Sequence, residues 1–275
     1  MSDEQVKPVS GTREWASHSA NAVWGCAHRC TYCYARSMAN RFGRISEKGW
    51  GDEIAGGNEL GRRPRRVDGT VMFPTTHDIT PTNLDLTLPA LRGLLEVGNQ
   101  VLVVSKPHLE VIQRICGEHA ARKSQILFRF SIGTERAKTL AFFEPGAPEF
   151  GERLASLQYA HAADFATSVS MEPLLEPDED HVVALVEKLA PFVTESIWIG
   201  KLNRAKAVMT NNGTWNDSAA RAVAIIEASQ TDERCRSLVA RLSGHPLVRW
   251  KESIKKAAGF TLATTADEGW AGSDG

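Results

Sequence analysis

The sequence reads as an α/β fold in which a parallel sheet is wrapped by helices. Two observations carry that reading. Short apolar runs of strand length, such as 71–73, 101–104 and 197–199, alternate with longer amphipathic stretches, and parallel neighbours need such crossovers to return the chain to the same end of the sheet. At 275 residues with 42% hydrophobic content, the chain can also bury one sizeable core with both sheet faces covered.

Taken in order, the first strand is expected near 21–24. Residues 34–42 lack Gly and Pro and carry Ala35, Met38, Ala39 and Phe42 at helical spacing, which predicts a helix. A Gly-rich basic insertion occupies 43–69. The second strand is 71–73, followed by a helix over 88–97 with Pro89 in its first turn, where a missing amide is tolerated. Strand 101–104 leads to helix 109–121. Strand 126–132 leads, past the Pro/Gly-rich corner 144–148, to helix 152–163. After strand 165–170, Asp178 is placed to cap a helix whose Val182, Val183, Val186 and Leu189 share one apolar face. A sixth strand, 197–199, ends at Gly200. Residues 1–17 are then an N-terminal arm, 18–203 the six strand–helix repeats, 204–259 a helical C-terminal extension, and 260–275 a polar, disordered tail.

No apolar stretch approaches the roughly 20 residues that span a bilayer. The formal net charge of -1 gives no global attraction to nucleic acid. Charge is nevertheless uneven: from Arg41 to Arg66 seven Lys/Arg stand against four Asp/Glu. Arg62, Arg63, Arg65 and Arg66 close this run, which reads either as a solvated loop or as a lid gripping an anionic substrate such as nucleic acid.

Three of the five cysteines, Cys26, Cys30 and Cys33, lie within Gly25-Cys26-Ala27-His28-Arg29-Cys30-Thr31-Tyr32-Cys33-Tyr34. Iron–sulfur clusters are usually held by four thiolates, so a compact triplet with no fourth cysteine nearby predicts a 4Fe-4S cubane with one open iron. The same three with His28 or His18 would also make a tetrahedral zinc site of three thiolates and one imidazole, the basis of a non-catalytic module acting on nucleic acid. An odd cysteine count and the lack of a signal peptide point to a reduced, cytoplasmic setting. Cys116 reads as core packing in an apolar helix, and Cys235 lies on a polar helix beyond the repeats.

The cysteine run, with three residues between the first two cysteines and two between the last two, resembles that of the radical S-adenosylmethionine (radical SAM) superfamily. The resemblance implies a partial (β/α)6 barrel of TIM type, with S-adenosylmethionine chelated at the open iron and reductively cleaved to a 5'-deoxyadenosyl radical that abstracts hydrogen from a substrate. It also implies a flavodoxin or ferredoxin as electron donor. In such barrels ligands meet the carboxyl ends of the strands, which here are Pro74-Thr75-Thr76-His77-Asp78, Ser105-Lys106, Ser131, Met171-Glu172 and Lys201-Leu202-Asn203.

These segments are similar to the spore photoproduct lyase-like branch. Tyr32 and Tyr34 match tyrosines beside the radical in those lyases. Lys106 matches a contact to the SAM carboxylate and Ser131 a ribose contact; Thr76 and His77 stand where other members hold the SAM amino group, and Glu172 and Asn203 complete the cofactor-binding set. Glu144 and Arg153 are expected to form a structural ion pair. Ser170-Met171-Glu172-Pro173-Leu174-Leu175 is also similar to a phrase in a family of phage-associated proteins. The lyases proper carry a hydrogen-donating cysteine where this chain has Thr75, so an authentic spore photoproduct lyase is not expected. The substrate stays open between a nucleic-acid base, a peptide and a small phosphorylated metabolite.

Overall fold

The computed structural model describes residues 8–44, 49–56 and 64–266. Its centre is a seven-stranded, all-parallel sheet. The strands are β1 (His18–Ser19), β4 (Thr70–Phe73), β5 (Gln100–Ser105), β6 (Ile126–Ser131), β7 (Ala166–Met171), β8 (Ile197–Ile199) and β9 (Val248–Trp250), hydrogen-bonded side by side in that order. A small antiparallel pair, β2 (Val23–Trp24) with β3 (Ile54–Ala55), stands apart. The strands curve into a partial barrel, open between β1 and β9.

Helices α2 (Leu84–Glu96), α3 (Leu109–His119), α4 (Ala137–Phe143), α5 (Phe150–Ala162) and α6 (Glu179–Leu189) make the crossovers. Before them comes α1 (Tyr34–Arg41); after β8 come α7 (Ala205–Asn211), α8 (Asp217–Ala228), α9 (Asp232–Leu242) and α10 (Glu252–Ala258). Asp178 caps α6 by accepting from the amides of Asp180 and His181, satisfying two donors that a helix start leaves open. Among the described residues no helix is long and apolar enough to cross a membrane.

Alternation along the strands sorts side chains into two layers. Val71, Val101, Val103, Phe128, Val169 and Ile197 pack outward against the helices. Met72, Leu102, Leu127 and Trp198 point inward and meet Trp15 from the arm. Buried Arg129 lies in this inner layer, its guanidinium 4.8 Å from the ring centre of Trp15 and 5.5 Å from that of Trp198. The same inward parity carries up the strands to Lys106, Ser131 and Ser170.

Four local expectations need correction. The first barrel strand is His18–Ser19, not 21–24, because the polar pair is too short to show a pattern; Val23–Trp24 instead pairs with the insertion. Helix α2 starts at Leu84, which places Pro89 inside it. Pro89 and Asp85, whose carbonyl loses its partner there, both face solvent, which lowers the cost of that lost bond. A seventh strand, Val248–Trp250, lies in the stretch read as wholly helical. The insertion is also not all loop. Trp50 is buried with Cys26, Ala35 and Ala39, and Glu53 accepts from Ala27 N (2.9 Å), Thr80 Oγ1 (2.5 Å) and Asn83 Nδ2 (3.0 Å). Of the C-terminal tail, 267–275 lie outside the described residues, while Ala263 O accepts from Val9 N of the arm (3.0 Å).

Candidate active site at the carboxyl ends of the strands

A cavity of about 620 Å3 opens at the carboxyl ends of the strands. One wall is the cysteine loop, with Cys26, Cys30, Cys33, Tyr32 and Tyr34. Strand ends supply Thr76, His77, Asp78, Lys106, Ser131 and Glu172, and Lys201, Asn203 and the arm residues Gly11, Thr12, Arg13 and Trp15 also line it. Every site residue expected from the sequence therefore lines one cavity. Cys116 and Cys235 do not; both are buried within their helices' packing, and burial pushes the Cys116 thiol up to about 12.

The loop is shaped by close backbone contacts. Gly25 has φ +90° and passes so near the insertion that a Cβ would lie 2.6 Å from the Asp52 carbonyl oxygen, a conformation and an approach that suit only glycine. Cys26 N donates to Trp50 O (2.8 Å), and Cys33 N to Cys30 O (3.1 Å). From the other side, Gly146 N donates to His28 O (3.0 Å), and a Cβ on Gly146 would meet Ala27 O at 2.4 Å. The 144–148 corner is thus a buttress for the cysteine loop.

Charged groups beneath the loop are closely paired. Asp78 Oδ2 accepts from His28 Nδ1 (2.8 Å) and lies 3.7 Å from Lys106 Nζ, while Asp78 Oδ1 accepts from Lys106 N (2.8 Å). Burial alone would push the Asp78 carboxyl up; Lys106 and His28 outweigh it and hold the group well below the usual carboxylate range. The Glu144–Arg153 pair forms at 2.6 Å, fully buried, and the Tyr32 hydroxyl donates to Glu144. The Tyr34 hydroxyl donates to the Thr75 carbonyl.

The remaining expected ligands differ in what they have left to offer. Among the described residues the hydroxyl of Ser131 and the amide of Asn203 have no partner. Thr76 Oγ1 donates to Asn21 Oδ1 (2.9 Å) and keeps its lone pairs. His77 keeps none: Nε2 accepts from Ala22 N (3.3 Å) and Nδ1 faces Asp78 O (2.9 Å), and burial lowers its pKa, keeping the ring neutral. Both ring nitrogens are thus engaged within the protein. Glu172 lies 3.4 Å from Lys251 Nζ, and burial outweighs that ammonium, so its carboxyl is raised. Arg13 did not stand out in the sequence; Asp78 did only as the last residue of the strand-end segment 74–78.

The three thiols suit a cluster. Burial is the largest influence raising the pKa of each, so three thiolates could coexist here only around a compensating cation. Arg36 N already points at Cys33 Sγ (3.4 Å) from the first turn of α1. A fourth ligand from His28 would need a free ring nitrogen, but Nδ1 is bonded to Asp78 and Nε2 to His108 (2.9 Å). His28, Cys26 and Asp78 do bring ligand-type atoms within 4.8 Å of one another, yet this is a hydrogen-bonded cluster already satisfied. The donor set left is three sulfurs.

No protein-family model matches this chain. Spore photoproduct lyase complexed with dinucleoside spore photoproduct superposes with a TM-score of 0.56 at 16% identity, over 90% of this chain and 79% of the lyase. The chain has the fold of spore photoproduct lyase. A lyase variant with bound AdoMet and the dinucleoside gives 0.55 at 17% identity over the same shares. Streptococcus suis SuiB bound to S-adenosylmethionine gives 0.53 at 10% identity, over 92% of this chain and 56% of SuiB. By sequence, an uncharacterized protein of the Acidianus two-tailed virus is 26% identical over 185 residues, 58% of this chain and 56% of the viral protein.

Proposed function

We propose that this protein is a radical SAM enzyme, with Cys26, Cys30 and Cys33 holding a 4Fe-4S cluster. The observation that carries this reading is the convergence of three thiols, Cys26 and Cys30 buried and Cys33 half-buried, on one cavity wall with no fourth ligand offered by His28. The likeness to solved structures that bind S-adenosylmethionine supports it. The chemistry such a cluster supplies when bound is an open iron for SAM and the electron that cleaves it to a 5'-deoxyadenosyl radical; that electron comes from a flavodoxin- or ferredoxin-type donor.

The chain's own residues bind and orient. The Lys106 ammonium lies 3.7 Å from Asp78, an ion pair longer than a hydrogen bond, and keeps its N–H groups for a carboxylate, for which a compact ammonium is suited. The Ser131 hydroxyl can donate and accept toward a ribose diol, and Thr76 can accept from an ammonium. Glu144 fixes the ring of Tyr32 against the loop, and the Thr75 carbonyl fixes Tyr34; these two phenols are the proposed groups nearest the reacting substrate. Thr75 itself is a poor hydrogen-atom donor, and its hydroxyl accepts from Asn21 Nδ2 (2.7 Å).

The test is anaerobic reconstitution with iron and sulfide, dithionite reduction and addition of SAM. Formation of 5'-deoxyadenosine and methionine, lost in Cys30→Ala, is the expected result. Bound zinc at about one per chain with no iron would favour a structural zinc site on the same three cysteines instead.

A further inference from the structure

Buried Lys251 is one ammonium set beside two carboxyl groups. Its Nζ donates to Gly11 O (2.7 Å), pairs with Glu14 Oε1 at 2.9 Å and reaches Glu172 Oε2 only at 3.4 Å. Glu14 also accepts from Glu252 N (2.8 Å) on its other oxygen, so it is satisfied as an anion. The other groups facing Glu172 bring no positive charge: Glu252 is acidic and Tyr34 is a phenol, while the charge of Lys201 is felt at Cys235, outside the cavity. Lys251 and Glu14 cancel, and the carboxyl left without a cation of its own is Glu172, which lines the cavity.

The position is built. Gly200 leaves room for both side chains: a Cβ there would lie 2.9 Å from Glu172 Cγ and 2.9 Å from Lys251 Cγ. Ser170 precedes Glu172 by two residues along β7 and so shares its inward side. The Ser170 hydroxyl is buried, lines the same cavity and has no hydrogen-bond partner among the described residues. A buried hydroxyl left unpaired is costly, and a ligand in the cavity would relieve that cost.

We propose that Ser170 and Glu172 form an uncharged hydrogen-bonding subsite, with Glu172 a carboxylic acid and not a carboxylate, and that it takes a carbonyl oxygen of the substrate. An acid O–H and a hydroxyl both donate, and a carbonyl oxygen accepts without bringing a charge into a place where the charges already cancel. Burial, which more than offsets Lys251, and nearby Glu14 both favour the protonated form of Glu172. A substrate ammonium would need the carboxylate instead. The inference rests on the cavity being an active site, but its test needs neither cluster nor SAM.

The experiment is carbon NMR of the full-length protein labelled at its glutamate carboxyls, with the Glu172 signal identified by its loss in Glu172→Gln. That signal should titrate above those of the exposed glutamates, whose ordinary midpoint is about 4.3. N-methylacetamide, the carbonyl probe, is then titrated on both sides of the Glu172 midpoint and followed by its methyl resonances, beside methylammonium. Its binding should fall at least about tenfold when Glu172 loses its proton, should not respond to that pH change in Glu172→Gln, whose amide still donates, and should weaken in Ser170→Ala. Methylammonium should bind more weakly than N-methylacetamide on the acid side. A thermal melt of each variant separates lost contact from lost fold. The proposal is overturned by a Glu172 signal that titrates with the exposed glutamates or below them, by N-methylacetamide binding that is absent, unchanged by pH or unchanged in Ser170→Ala, by a pH response kept in Glu172→Gln, or by tighter methylammonium binding on the acid side. Absence of SAM cleavage with these results intact would break the functional reading alone.

Discussion

The charged and phenolic groups around the cysteine loop are bonded within the protein, whereas among the described residues the side chains of Arg13, Lys201 and Asn203, which line the same cavity, have no hydrogen-bond or ion-pair partner. Asp78, His28, Glu53, Glu144 and Tyr32 knit the loop to the second strand end, the insertion and the 144–148 corner. The arm that carries Arg13 is held by Lys251, which bonds Gly11 O and Glu14, and by Glu252 N on Glu14. The first pattern suits a cofactor held in one geometry. The second suits a substrate that comes and goes, since groups already bonded within the protein cannot recognise anything else.

Several substitutions would break or sharpen this contrast. The largest effect is expected on the cysteine side: Cys26→Ala, Cys30→Ala or Cys33→Ala should each abolish the brown iron–sulfur absorbance, while Cys116→Ala and Cys235→Ala should retain it. Iron and sulfide kept by a triplet variant would disprove the ligand assignment. Next comes the pin of the other wall. Lys251→Met leaves Glu14 and Glu172 buried without their cation and should cost about 3–5 kcal/mol in urea unfolding; a loss under about 1 kcal/mol would mean that the arm docks without it.

Smaller effects test the buttress and the strand ends. Gly146→Ala forces a Cβ toward the Ala27 carbonyl and should cost about 1–3 kcal/mol of stability through the steric clash, with lower iron occupancy after reconstitution; full occupancy would show that the corner does not shape the loop. Lys106→Ala and Ser131→Ala should weaken SAM binding, measured by calorimetry on reconstituted protein, by about 1–3 kcal/mol at most. Unchanged affinity in both would move SAM elsewhere in the cavity.

Much of this was legible in the sequence because it is written in periodicity and spacing. The strands β4 to β8 and their alternation with helices follow from apolar runs, and the cysteine triplet from its spacing alone. Strand ends pointed to the cavity, and Lys106 and Ser131 are named there from the resemblance to the lyase-like branch; the pleat explains why both face inward. What stayed hidden is short or long-range. His18–Ser19 and Val248–Trp250 are strands only because neighbours pair with them. Trp50 and Glu53 sit in a stretch whose composition reads as loop, and only the fold brings them under the cysteine loop.

The basic run illustrates the limit most clearly. Arg62 and Arg63 lie outside the described residues. Arg65 is exposed, and its carbonyl accepts from Asn99 Nδ2 (3.0 Å), just before β5. That is the amino end of the strand, about 20 Å by strand rise from Lys106 at the other end. Charge density alone does not say which end of the sheet a basic run reaches; that is decided by where the chain packs Arg65.

The central claim, that three thiolates leave one iron open to SAM, is tested most directly by electron paramagnetic resonance of the reconstituted, dithionite-reduced protein with and without SAM. The account predicts a reduced 4Fe-4S signal whose g values shift when SAM is added, and whose shift disappears in no variant of Cys116 or Cys235. A signal indifferent to saturating SAM, or a protein that binds zinc and gives no iron–sulfur signal, would contradict it.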